Sequence, residues 1–168
     1  MSEIKRLNIS KSYYFVTQVV NGHKKLLNID NIRLIIADLN YYNKKYNSGI
    51  CAYVILPDHL HFIIRIRKNN DLSFFMHDFK IHSAMEINKS MDRKGEFWQA
   101  RFYDHLIRDR SDLYTHLDYI HYNPLKHGVV DCLDEYQYSS FKHFVMKNYY
   151  ENNWGAMEQE NIKKLNLE

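Results

Sequence analysis

The spacing of apolar residues changes several times along the chain, and each change predicts a boundary between a strand and a helix. Residues 12–20, SYYFVTQVV, are rich in β-branched and aromatic side chains, which favours a strand. Residues 28–47 have the apolar spacing of a helix, with Asp30 as the expected N-cap. Two strand-like runs then flank PDH at 57–59, and because Pro57 suits a turn, they predict an antiparallel hairpin.

The rest of the chain continues this alternation. Helical spacing returns over residues 70–91, with Asp71 able to cap the helix, and residues 93–110 suggest one or two further strands. A helix of about three turns is expected from Ser111, an N-cap candidate, to a break near Pro124 and Gly128. The order predicts an α+β fold, with helices packed on a central antiparallel sheet.

Length and charge narrow the class of protein. The 168 residues suit one domain, which we place at residues 1–150, followed by a polar C-terminal tail at 151–168. The net charge of +3 and pI near 8.7 permit a nucleic-acid partner without requiring one. Neither a signal peptide nor a membrane span of about 18 apolar residues is visible, so a bacterial cytoplasm is the expected compartment.

Two histidines stand where the second strand of the hairpin begins. In VILPDHLHFIIRI (54–66), His59 and His61 are two residues apart, so on a strand they project from the same face. Two imidazoles on one face can share a divalent metal ion. The pair alone also fits two hydrogen-bonded histidines at the edge of a core, so both interpretations stay open.

A metal site would need a third ligand from an element packed over the sheet. The last predicted helix carries DYIHYNP (118–124), which places Tyr119 and Asn123 one turn apart on one face. An amide oxygen is an acceptable ligand for Mg²⁺ or Mn²⁺, and a phenol one turn away would lie beside the ion. The same spacing near a proline is also typical of packing and C-terminal capping.

Taken together, these segments resemble the IS200-like single-tyrosine transposases of the HUH endonuclease superfamily, and in particular their REP-associated branch. The resemblance rests on AYVILPDHLHFIIRI, FWQARFYDHLIRD, LDYIHYNPLKHGVV and YQYSSF, which occur in the family's order between about residues 12 and 142. The chain departs from the family at Tyr136, where tryptophan is common, and at Leu125 and His127, which replace valine and alanine. These departures leave the catalytic motifs intact.

The resemblance implies a ferredoxin-like HUH fold and a DNA strand-transfer reaction. Tyr119 would attack a phosphodiester of single-stranded, hairpin-containing DNA, giving a 5′-phosphotyrosine, while His59, His61 and Asn123 would hold Mg²⁺ or Mn²⁺. The relatives act as monomers or homodimers on DNA of the bacterial nucleoid, and no membrane is involved.

Candidates for contacts to the DNA backbone are basic residues near these motifs, namely Lys80, Arg101, Arg108 and Lys126. Each also fits a solvated surface charge. Trp98 could stack on an unpaired base, although a core position explains it equally well.

Two other functions fit the same residues. A domesticated protein could bind hairpin DNA without cleaving it, and a metal-dependent hydrolase could use the histidine pair to activate water. Only the strand transferase forms a covalent protein–DNA intermediate, so that intermediate separates it from the other two.

Overall fold

The fold alternates strands and helices, as the apolar pattern predicts. A computed structural model describes residues 12–67, 71–151, 153–156 and 159–165. In chain order the elements are β1 (Ser12–Val19), α1 (Ile29–Lys45), β2 (Gly49–Ile55), β3 (His59–Ile66), α2 (Asp71–Ser90), β4 (Tyr103–Leu106), α3 (Arg110–Lys126), α4 (Phe141–Met146) and α5 (Glu160–Lys163).

The four strands form one antiparallel sheet in the order β2-β3-β1-β4. β2 and β3 are the two arms of the predicted hairpin around Pro57, and β1 lies beside β3 although the paired residues are forty or more positions apart in the sequence. Thr17 pairs with His61 and Val19 with His59 in this ladder. The α+β prediction, with helices flanking an antiparallel sheet, is therefore confirmed.

The sheet separates two hydrophobic cores because successive side chains of a strand point to opposite faces. Leu60, Phe62 and Ile64 of β3 pack with α1 and α2 on one face. Ile63 of the same strand, together with Phe15 of β1, packs with α3 on the other face. β3 is thus buried on both faces, which explains its almost continuous apolar sequence.

The helix caps differ from those expected. Asn28, not Asp30, caps α1, since its side chain accepts a hydrogen bond from the backbone N–H of Asn31. Asp109, not Ser111, caps α3, accepting from the N–H of Asp112 at 2.9 Å. In both cases the side-chain oxygen of a residue two positions earlier in the chain caps the helix instead, and local sequence does not rank two capping residues so close together.

α3 is longer than predicted. It spans 17 residues rather than about three turns, and it ends at Lys126, between Pro124 and Gly128, where the break is expected. The N–H that Pro124 lacks would have donated to the Ile120 carbonyl one turn earlier, and the N–H groups of His127 and Gly128 satisfy the carbonyls of Asn123 and Leu125 at the helix end. Asn123 therefore lies within the helix, on the face that Tyr119 also occupies.

Residues 93–110 form one of the one or two further strands expected there. Only β4 is a strand, and Trp98 adds an isolated bridge to Val20. The Trp98 ring is buried and its Nε1 donates to Ser83 Oγ at 2.9 Å, so Trp98 is a core residue rather than an exposed stacking platform.

The chain beyond α3 closes one edge of the sheet. The backbone of 138–140 hydrogen-bonds to β2, with the Ile55 N–H donating to the Tyr138 carbonyl and the Ser140 N–H donating to the Tyr53 carbonyl. The boundary at residue 150 stays a prediction, but Ile162, in α5, is buried in the core that α3 covers. None of the described helices is long and apolar enough to span a membrane.

The two-faced burial of β3 predicts which phenylalanines stabilise the fold. Phe62 is fully buried beneath the helices, so Phe62→Ala should lower the free energy of unfolding by about 3–5 kcal/mol. Phe74, on α2, is 58% exposed, so Phe74→Ala should change the free energy of unfolding by less than about 0.5 kcal/mol. Urea denaturation of both variants measures the difference, and equal losses would contradict this packing.

Candidate active site

His59 and His61 lie side by side on the face of the sheet that α3 covers. Their ring centroids are 4.8 Å apart and the ring planes are inclined by 76°. Both side chains are buried. The Pro57–Asp58 turn begins β3 at His59, and the alternation of the strand then turns both imidazoles to one side.

A hydrogen bond at Nδ1 orients each of the two rings. Asp58 Oδ1 lies 2.7 Å from His59 Nδ1, and Thr17 Oγ1 lies 2.8 Å from His61 Nδ1. A partner at Nδ1 leaves Nε2 as the nitrogen that can face a metal ion, and such partners commonly fix the orientation of metal-binding histidines. Asp58 could be suspected as a partner of His59 from the sequence, because the two residues are adjacent. Thr17 is brought to His61 only by the pairing of β1 with β3, which the sequence does not show.

α3 brings Tyr119 and Asn123 to the histidines. The Tyr119 ring is fully buried, with its centroid 5.3 Å from that of His61. Asn123 Nδ2 donates to the Tyr119 carbonyl at 2.7 Å, which leaves Asn123 Oδ1 as the atom available to another partner. The structure thus gathers the four residues singled out in the sequence, while their chemical roles stay predictions.

The buried polar atoms of this cluster fit a cation. His61 Nε2 and Asn123 Oδ1 are both buried and make no hydrogen bond of normal length and angle among the residues that the structure describes, although the Asn123 side chain is close enough to His61 to act on its pKa. Buried polar atoms normally have a full partner. Burial, and then the nearby His59, lowers the pKa of His61 well below its usual value, so its imidazole is neutral. A neutral imidazole beside an amide oxygen is a mixed nitrogen and oxygen donor set, which suits a divalent transition ion such as Mn²⁺ better than Mg²⁺.

A second cluster joins β4 to α3. Asp112 Oδ2 lies 2.9 Å from His105 Nε2, and Asp112 Oδ1 lies 3.1 Å from His116 Nδ1. These three residues offer metal-ligand atoms within 4.8 Å of one another. However, the two imidazole rings stack with planes only 15° apart, and one ion cannot lie in both planes unless a ring turns. As it stands, the cluster attaches the start of α3 to the sheet.

The four predicted DNA-binding residues occupy different surroundings. Lys126 Nζ lies 4.8 Å above the centre of the Tyr119 ring, and Arg101 is exposed beside the histidines. Arg108 is exposed just before the start of α3. Lys80 Nζ donates to the carbonyls of Gln99 and Ala100 at 2.8 and 2.7 Å, and burial lowers its pKa. Lys80 therefore supports the loop that carries Arg101.

A cavity of about 290 Å³ opens beside the two histidines. Its walls come from β1, from the loop before β4, from β4 itself and from the end of α3; they include Thr17, Gln99, Arg101, Tyr103 and His127. The His127 ring lies 4.9 Å from that of His59. Sequence reasoning missed Tyr103 and His127 as site residues, because it assigned no role to either within the family motifs that contain them.

This arrangement belongs to a known class of protein. The family model "Transposase IS200 like" matches residues 8–123, which include β1, both histidines and Tyr119. The chain is a member of the IS200-like transposase family.

Individual relatives point to the REP-associated branch. A protein of Haemophilus influenzae assigned to the REP-associated tyrosine transposases is 33% identical over 97% of this chain and 98% of its own length. The REP-associated tyrosine transposase of Escherichia coli is 29% identical over 93% of this chain and 92% of its own. The resemblance seen in the sequence is confirmed.

Solved structures agree with the fold. The structure of a REP-associated tyrosine transposase bound to a REP hairpin matches with a TM-score of 0.75 and 27% identity, over 96% of each chain. A transposase-like protein of Deinococcus radiodurans matches with a TM-score of 0.52 over 68% of this chain and 92% of its own, at 13% identity, which supports the fold alone.

The hydrogen bond at His61 can be tested without DNA or metal. Thr17→Val keeps the shape of the side chain but removes the hydroxyl, and should cost about 1–3 kcal/mol of unfolding free energy because His61 Nδ1 loses its partner. Thr17→Ser keeps the hydroxyl and should retain most of that stability. Urea denaturation compares the two, and a larger loss in the serine variant would show that the methyl group matters instead.

Proposed function

We propose that the protein cleaves and rejoins single-stranded, hairpin-containing DNA through a 5′-phosphotyrosine intermediate, using a divalent metal ion. The observation that carries this proposal is the position of Tyr119 on α3 against His61, with Asn123 one turn further along the same helix. Membership of the IS200-like family and the hairpin bound by a structurally similar transposase support it.

The chemistry is a transfer of one phosphoester bond. Tyr119 Oη attacks the scissile phosphorus and loses its proton, the bond from phosphorus to the 3′ oxygen breaks, and that oxygen leaves as a 3′-OH after gaining a proton. The product is a tyrosine phosphodiester of about the same energy as the bond that was broken. A second 3′-OH can therefore reverse the step and join strands without ATP.

His59, His61 and Asn123 are the residues that would hold the metal ion. A divalent cation bound there would neutralise charge on the phosphate and align it for attack. Thr17 and Asp58 keep the imidazoles in place through their Nδ1 atoms, and the buried position of His61 keeps it neutral and able to bind a cation.

Basic side chains around Tyr119 and the histidines stabilise negative charge and contact the DNA phosphates. The Lys126 ammonium over the Tyr119 ring favours the negative charge that develops on the phenol oxygen. Arg101 lies in the cavity beside the histidines and suits a contact to a neighbouring phosphate. Arg108 lies just before α3, in a position to contact the hairpin. Lys80 contributes indirectly, because it holds the loop that carries Arg101.

The covalent intermediate gives the first test. A 5′-labelled and a 3′-labelled REP hairpin with single-stranded flanks, incubated with the protein and Mn²⁺, should give a protein–DNA adduct on denaturing gels that retains the strand 3′ to the cut. Tyr119→Phe should abolish the adduct because it lacks the attacking oxygen.

Tyr114→Phe is the matched control, since Tyr114 lies on the same helix but is 42% exposed and apart from the histidines. It should form the adduct normally. Hairpin binding without any adduct would instead favour the domesticated DNA-binding protein, and an adduct that survives Tyr119→Phe would exclude this nucleophile.

Metal binding gives a second test that does not depend on activity. Calorimetric titration of the DNA-free protein with Mn²⁺ should show a site whose affinity falls on the order of a hundredfold or more in His61→Ala. His105→Ala should leave the affinity unchanged, because His105 belongs to the cluster between β4 and α3. The reverse result would place the ion in that cluster, and adduct formation after chelation with EDTA would contradict a need for metal.

A further inference from the structure

The cavity beside His59 and His61 is lined by side chains of several chemical types. Besides the two histidines they include Tyr103, Gln99 and Arg101. Asp58 also lines the cavity, but its carboxylate is hydrogen-bonded to His59. An aromatic face, a hydrogen-bonding amide and a cation within one cavity together suit a ligand that has a flat ring and a phosphate. A nucleotide has both.

Strand pairing places Tyr103 in line with the metal-binding candidates. His61 pairs with Thr17, and Thr17 pairs with Tyr103, so the three residues form one row across β3, β1 and β4. Residues directly opposite in a ladder point to the same face, and two strand spacings separate His61 from Tyr103 by about 10 Å. A phosphate at His61 would therefore have the base of an adjoining nucleotide near Tyr103.

Tyr103 is supported from one side and open to solvent. Its ring contacts that of Phe15 in an edge-on arrangement, with centroids 6.4 Å apart, and 45% of the residue is exposed. A large exposed aromatic beside a cavity is a feature of proteins that stack unpaired bases. A base inside a duplex has both faces covered by its neighbours, so only an unpaired base can use this ring.

The backbone of Gln99 is held by hydrogen bonds, whereas its side-chain amide can bind a ligand. Its N–H donates to the Val19 carbonyl, and its own carbonyl accepts from Lys80 and Gln18. Its amide group, in contrast, makes no hydrogen bond to the part of the chain described. A side-chain amide can donate to and accept from the edge of one base, and so distinguish it from others.

We infer that this cavity binds one unpaired nucleotide next to the scissile phosphate, with its base stacked on Tyr103 and its edge contacted by Gln99. The inference rests on the proposed function and adds to it the nucleotide whose base determines where the DNA is cleaved. Arg101 neutralises the phosphate of this nucleotide, and Lys80 holds the loop so that Gln99 and Arg101 keep their places.

The test measures binding rather than cleavage, in a Tyr119→Phe background that cannot form the adduct. The probe is a fluorescent REP hairpin with a short single-stranded flank, in which each flanking position is made abasic in turn, and anisotropy with Mn²⁺ gives Kd. At one position, loss of the base should weaken binding on the order of ten- to hundredfold. Tyr103→Ala should weaken binding of the intact probe equally, yet leave binding of that abasic probe unchanged.

Three variants complete the experiment. Tyr103→Phe keeps the ring and should bind like its parent, and Tyr41→Ala should have no effect, since Tyr41 is 63% exposed on α1, the helix on the opposite face of the sheet. Gln99→Ala should reduce differences among the four bases at the sensitive position. Thermal melts establish that each variant is folded.

The inference would be overturned if Tyr103→Ala weakened binding of every abasic probe as much as it weakens binding of the intact probe. Failure of the Tyr119→Phe protein to bind any probe would overturn it as well. The proposed reaction is judged separately, by the adduct that the protein with an intact Tyr119 forms. Binding without an adduct contradicts the reaction alone, and an adduct without coupling at Tyr103 contradicts the base cavity alone.

Discussion

The arrangement of the candidate active site depends on the register between β1 and β3. With Thr17 opposite His61, the hydroxyl reaches the imidazole, and the same row continues to Tyr103 on β4. Side chains alternate along a strand, so a slip of one residue would turn His59 and His61 toward α1 and α2. The apolar residues on both faces of β3 make such a slip costly, because every one of them would change cores.

Phe15 links the groups that this register brings together. Its ring lies 5.4 Å from that of His61, 5.8 Å from that of Tyr119 and 4.8 Å from that of His116. α3 therefore rests on one aromatic side chain of β1 between two histidine clusters. With Lys126 over its ring, Tyr119 is fully buried between α3 and the sheet.

The sequence predicted local features well and distant pairings poorly. The hairpin at Pro57, the shared face of His59 and His61, and the helical turn between Tyr119 and Asn123 all follow from periods of two and 3.6 residues. The contact of Thr17 with His61 depends on strands that are 44 residues apart in sequence, and no local period reports it. The same applies to His105 and His116, which meet only after β4 and α3 have packed.

Lys80 shows a different limit of the sequence. Its charge predicts a contact to DNA, which stays a prediction, but a positive charge on a helix does not reveal that the side chain also reaches the carbonyls of Gln99 and Ala100. The prediction of Ser111 as the N-cap of α3 was wrong because Asp109 and Ser111 are both good N-cap residues. The choice between them depends on where the chain leaves β4.

The backbone of 138–140 has a consequence for association between chains. β2 is the first strand in the sheet order, and an exposed strand there would present free N–H and carbonyl groups to any other extended chain. The hydrogen bonds to Tyr53 and Ile55 occupy those groups from within the same chain. An unfolded neighbour, or a strand from a second copy, therefore cannot pair with the Tyr53–Ile55 end of β2 without first displacing this segment, which shortens the edge open to aggregation.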